Sequence, residues 1–152
     1  MPTETAQKRN REPVKQFSVL TANRVGHFHD LVGVLAAGGV HVLAVGMLDA
    51  TDNAVIRIVV DDPDKARVLL QDHNLPFTES ELVVVALQRT EELGRLMAAL
   101  LEAELNINYL YAFIPHPDDQ SLLALSMEDN ETAETVLQKS RFRILRQADI
   151  SR

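Results

Sequence analysis

The chain has 152 residues, enough for one ordinary domain or two small ones, and 46% of them are hydrophobic, which argues for a packed core and against disorder throughout. A formal net charge of −7 argues against nucleic acid as the default partner. The absence of cysteine excludes disulfides, thiolate catalysis and cysteine-ligated zinc, and fits a reducing cytoplasm. No apolar run approaches the ~20 residues of a membrane span.

Met1 to Lys15 is polar and carries Lys8, Arg9, Arg11 and Lys15. It lacks the apolar centre of a signal peptide and is expected to be a disordered, solvated tail. Gln16 to Thr21 has a strand pattern, with Phe17, Val19 and Leu20 apolar. The turn Asn23-Arg24-Val25-Gly26 follows, with Gly26 placed for a positive φ and close approach of a ligand to the backbone. The next residues open a helix with Phe28, Leu31, Val32 and Leu35 on one face. Its free N–H groups suit a carboxylate or phosphate. Gly33 inside this helix suggests a close approach to a neighbouring element, and Gly38-Gly39 stop it.

Val40 to Leu48 reads as a covered strand, Asp49 to Asn53 as a hairpin loop, and Ala54 to Val60 as the next strand. Asp61-Asp62-Pro63 starts a helix carrying Ala66, Leu69 and Leu70, and Phe77 opens a fourth strand. The order β-α-β-β-α-β is the ferredoxin-like motif.

The pattern then recurs. Leu82 to Leu87 is a strand, and Leu93, Leu96, Met97, Leu100 and Leu101 mark a helix. Ile107 to Ile114 and Leu122 to Met127 are strands, Asn130 caps a helix, and Phe142, Ile144 and Leu145 make the last strand. His41 matches Asn106, Val42 matches Ile107 and Phe77 matches Phe142, each 65 positions apart (106 − 41, 107 − 42, 142 − 77). Two copies of one small α+β domain are therefore expected, 16–80 and 81–152, joined by Thr78 to Glu81, with antiparallel sheets and helices on one face. Under the same offset Gly26 matches Glu91, and the second copy has Glu91-Glu92 at its helix start, which would repel a carboxylate.

The turn Asn23-Arg24-Val25-Gly26 and the later Ala37-Gly38-Gly39-Val40-His41-Val42 resemble the ACT-domain family of small-molecule sensors, with Val25 where the family usually has proline. The resemblance spans about Gln16 to Ile150, and the ligand turn matches only in the first copy. It implies a non-enzymatic regulatory protein that binds a free amino acid and needs no cofactor. The implied ligand residues are Asn23, Arg24, Val25, Gly26 and His27 on one side and Ile107, Asn108 and Tyr109 of the neighbouring domain on the other. Two other readings stand beside it. One is a ligand-free module that dimerises or docks on a metabolic enzyme; the other is a small enzyme on the same frame.

Catalysis has little support, since no nucleophile elbow, phosphate loop or metalloprotease helix is present. His27 and His29 are two apart and point to different sides of a helix, so no metal is expected; His41 is either a ligand contact or a surface histidine. Tyr109 and Tyr111 share one strand face, at an interface or in the core. Open sheet edges lead us to expect a homodimer.

Overall fold

The computed structural model describes residues 11–22, 25–49, 52–115 and 120–151. They divide into two compact units. The first holds the described part of 15–80 with 150–151, and the second holds that of 81–149 with the described part of 1–14.

The first unit is built from β1 (Val14–Ala22), α1 (Val25–Ala37), β2 (Val42–Asp49), β3 (Asn53–Val60), α2 (Pro63–Asp72) and the start of β4 (Phe77–Leu87). Its strands lie in the order β2-β3-β1-β4, with β3 antiparallel to both β1 and β2. β1 begins two residues before the apolar alternation does, and Val14 is fully buried. Phe17 and Val19 of β1, Ile56 and Ile58 of β3, Leu31 and Leu35 of α1, and Ala66 and Leu70 of α2 form one core. Both helices therefore cover the same sheet face. Val32, expected on the apolar face of α1, is instead exposed.

The second unit repeats the plan with the rest of β4, α3 (Glu92–Glu102), β5 (Ile107–Ala112), β6 (Ser121–Met127), α4 (Asn130–Lys139) and β7 (Arg143–Leu145). Its order is β5-β6-β4-β7, all antiparallel. Val83, Val85, Leu96, Leu100, Leu125, Ala133 and Leu137 form its core. A short helix, α5 (Gln147–Ile150), follows β7; its Gln147 N–H donates to the Glu12 carbonyl at 3.0 Å. The segment Thr78 to Glu81 is part of one strand, β4, rather than a link.

Hydrogen bonds at the helix ends explain the shared frame. After α1, Gly39 N–H donates to Ala36 O and Val40 N–H to Leu35 O, with Gly39 left-handed at φ +77. The same pair of bonds ends α2, α3 and α4 around Asn74, Glu104 and Arg141, at φ 54, 56 and 67. Satisfying the last carbonyls this way turns the chain sharply back toward the sheet. Gly38, not Gly33, makes the close approach. A Cβ on Gly38 would lie 2.4 Å from Leu69 Cδ1, whereas one on Gly33 would meet nothing within 4 Å.

The caps correct two sequence assignments. Asp62 and Asp129 are the N-caps, accepting from Lys65 N–H and Thr132 N–H, both at 3.1 Å. Asn130 is not the cap; its amide accepts from Met127 N–H and donates to Glu81 O. These caps are 67 apart (129 − 62), while Leu31 and Leu96 in α1 and α3 are 65 apart (96 − 31). The second repeat thus gains two residues between β5 and β6, and the equivalent of Phe142 is Leu75 rather than Phe77. Residues 50–51, within the expected loop Asp49 to Asn53, and 116–119, between the expected strands Ile107 to Ile114 and Leu122 to Met127, lie outside the described residues.

Candidate functional site

Asn23 and Arg24 lie outside the described residues, and α1 begins at Val25. Gly26 is therefore the second residue of the helix. It does not take a positive φ, contrary to expectation, because a helical residue has no need of one; a Cβ there would meet nothing within 4 Å. His27 is exposed beside it. The first turn of α1 carries no acidic residue, so no side chain of that turn offers a carboxylate to the N–H groups which every helix start leaves without intrahelical partners.

The second repeat has an acidic residue at its helix start. Glu92, which occupies the position of His27 (92 − 27 = 65), folds back so that its Oε2 accepts from Gln88 N–H at 2.8 Å. Its other oxygen lies 3.9 Å from Arg95 Nη2. Glu92 N–H and Leu93 N–H donate to Arg89 O and Thr90 O, closing the turn on itself. Glu91 makes no side-chain cap.

Ile107, Asn108 and Tyr109 run consecutively along β5, the end strand of its unit's order. Ile107 packs against the core, Asn108 is exposed, and the Tyr109 ring stacks on Tyr111 with centroids 6.4 Å apart. The register with β6 shifts between Ile107 and Tyr109, so Asn108 is an extra residue in the ladder. Such a bulge leaves backbone groups outside the ladder and re-aims the side chain. The first repeat has the same shift in β2 between Val42 and Ala44, where Leu43 stands in place of Asn108 (108 − 43 = 65). Gly26 and His27 thus share one helix turn in the first unit, and Ile107 to Tyr109 share one strand in the second.

His41 has a defined partner. Its Nδ1 lies 2.8 Å from Asp61 Oδ2, and its backbone N–H donates to Asp61 Oδ1 at 2.8 Å, although its side chain is 76% exposed. Asp61 is buried and serves this contact rather than a helix cap. The second repeat makes the same contact with different residues, Asn106 Nδ2 donating to Glu128 Oε2 at 3.0 Å. Sequence reasoning missed this pairing, because its partners are 20 positions apart (61 − 41) and only the β2–β3 hairpin brings them together. Among the described residues, no group of three or more His, Asp or Glu is placed to hold a metal, and no helix is long and apolar enough to cross a membrane.

A protein from Bacteroides thetaiotaomicron superimposes with a TM-score of 0.85 at 22% identity, covering 94% of this chain and 99% of that one. The regulatory subunit of aspartate kinase from Thermus thermophilus, in its ligand-free form, gives a TM-score of 0.60 at 15% identity, covering 85% of this chain and 91% of that one. The corresponding subunit from Thermus flavus gives 0.58 at 13%, covering 86% and 94%. No curated protein matches the chain. The family profile described as an ACT domain pair matches residues 13–152, which spans both repeats, and the chain belongs to the ACT domain pair family.

Proposed function

We propose that this chain is a non-enzymatic regulatory protein of the cytoplasm that binds one free amino acid per chain and acts on a metabolic enzyme. The ligand carboxylate is taken by the N–H groups of Val25, Gly26 and His27, with Asn23 and Arg24 beside it. The ammonium goes to backbone carbonyls of β5 at Ile107, Asn108 and Tyr109. The observation that carries this reading is the contrast between the two helix starts: α1 has no acidic residue in its first turn, while Glu92 supplies a carboxylate to the second repeat's own turn. The bulge at Asn108 supports the strand side.

A thermal-shift screen of the twenty amino acids tests it, since a ligand that binds only the native state raises the melting temperature. One amino acid should raise it, and calorimetry should then count one site per chain. Asn23→Ala should weaken that binding by about tenfold to a hundredfold, as expected for a hydrogen bond to a charged group. Two equivalent sites per chain would refute the asymmetry, and no response to any amino acid would refute the binding itself.

A second reading, an interaction module that pairs with another copy of itself, is favoured by the β2 edge, where Met47 and Leu48 are 61% and 54% exposed. Light scattering at increasing concentration tests it; a monomeric mass throughout would count against it.

A further inference from the structure

Three arginines of the second unit meet in one cleft. Arg95 comes from α3, Arg141 from the turn after α4, and Arg143 from β7; Ala86, Gln88, Glu92, Gln120 and Phe142 complete the lining. The cleft measures about 350 Å³ including its open mouth. Arg95 is held in place from two directions. Its guanidinium carbon sits 3.9 Å from the Phe142 ring centroid, and its Nη1 donates to Ser140 O at 2.6 Å. Glu92 is already engaged by Gln88 N–H and Arg95. Among the described residues, the side chains of Arg141 and Arg143 have no ion-pair partner.

The fold does not require this cluster. At equivalent positions the first repeat has Asp30 for Arg95 (95 − 30 = 65), Asn74 for Arg141 and Pro76 for Arg143 (141 − 74 and 143 − 76, both 67). Arg141 even sits where it is conformationally unfavourable. Its φ is +67, a left-handed position that asparagine tolerates better, as Asn74 does at φ 54. Among the described lining residues, three guanidinium groups less one carboxylate leave a charge of +2 (3 − 1). A phosphate monoester carries about −1.5 to −2 at neutral pH, and the planar guanidinium fork matches its oxygens two at a time.

We propose that this cleft binds a phosphate dianion, free or carried by a small metabolite, independently of the amino-acid site in the first repeat. The test uses the full chain, with sodium phosphate and glycerol 3-phosphate each compared against sodium chloride at equal ionic strength, by thermal shift and calorimetry. Both phosphates should raise the melting temperature where chloride does not. A tighter fit of glycerol 3-phosphate assigns a phosphorylated metabolite; equal affinity assigns free phosphate. Arg141→Asn copies the first repeat and relieves the left-handed arginine, so it should keep or raise thermal stability while weakening phosphate binding about tenfold; Arg143→Gln should weaken it similarly. Phosphate acting no better than chloride, or both variants keeping full affinity, would overturn the proposal.

Discussion

The two repeats share a frame and differ at the starts of their first helices. In the second, Glu92 turns back onto Gln88 N–H, and the turn also closes on its own carbonyls. In the first, the residue at that position is His27, and no acidic side chain stands in the opening turn. A helix start must satisfy its free N–H groups by some means. Glu91 and Glu92 put negative charge at the second repeat's helix start, which disfavours a ligand's carboxylate there, whereas the first repeat's opening turn carries none. Duplication here preserved a core while redistributing charge: the second repeat has Glu92 at its helix start and, beside it, a cleft lined by Arg95, Arg141 and Arg143.

Substitutions at several positions separate the two repeats. The largest effect is expected in the cores, where the repeats should behave alike. Leu70 and Leu137 are both fully buried at the same helical position. Leu70→Ala and Leu137→Ala should each destabilise the chain by about 2–5 kcal/mol in denaturant unfolding. Sharply unequal values would mean that the two cores are not equivalent.

Next comes the ligand turn. The double change Gly26→Glu with His27→Glu writes the second repeat's Glu91-Glu92 into the first. Both positions are exposed, and a Cβ at Gly26 meets nothing within 4 Å. Stability should therefore change little, while amino-acid affinity should fall about a hundredfold or more, roughly 2.7 kcal/mol. Intact affinity by calorimetry would remove the first turn from the site.

The helix ends offer a smaller contrast. Gly39 and Glu104 occupy the same left-handed position, at φ +77 and 56. Gly39→Glu should cost about 1 kcal/mol, and Glu104→Gly should stabilise by a similar amount, because a Cβ is disfavoured there. Lys65 Nζ lies 3.5 Å from the position of a Cβ on Gly39 and should offset part of that cost. Equal melting temperatures across the pair would show that this backbone term is not felt.

The smallest effect concerns acid. Hydrogen bonds from the Thr132 side chain, then from its backbone N–H, hold the Asp129 carboxyl below the usual carboxylate range. A carboxyl whose folded pKa is depressed stabilises the fold above its unfolded pKa of about 3.9, and that contribution is lost as pH falls through the lower folded value. Asp129→Asn retains a capping side chain without the titration, so its melting temperature should fall slightly less than wild type's between neutral pH and pH 3. Identical acid profiles would show that the cap contributes no pH dependence.

Much of this architecture was legible locally. Apolar spacing marked Leu31, Leu35, Leu96 and Leu100 as helix-core positions, and all four are buried. Gly38-Gly39 marked the end of α1, and the order of elements implied two βαββαβ units, because these signals act within a few residues. The misassignments came where partners are distant. Asp61 looked like a cap until the hairpin delivered His41 to it. Gly33 looked like a packing glycine, yet Leu69 of another helix makes Gly38 the crowded one.

Two similar α+β repeats, the second with carboxylates at its helix start, can be read from the residue order alone. Periodicity and helix-terminus chemistry are written in neighbouring residues. Only the tertiary structure decided that Glu92 accepts from Gln88 N–H, that Asn108 sits in a bulge, and that Arg95, Arg141 and Arg143 line one cleft. Those arginines span 48 positions (143 − 95), and no local pattern encodes their meeting; strand pairing and helix packing bring them together.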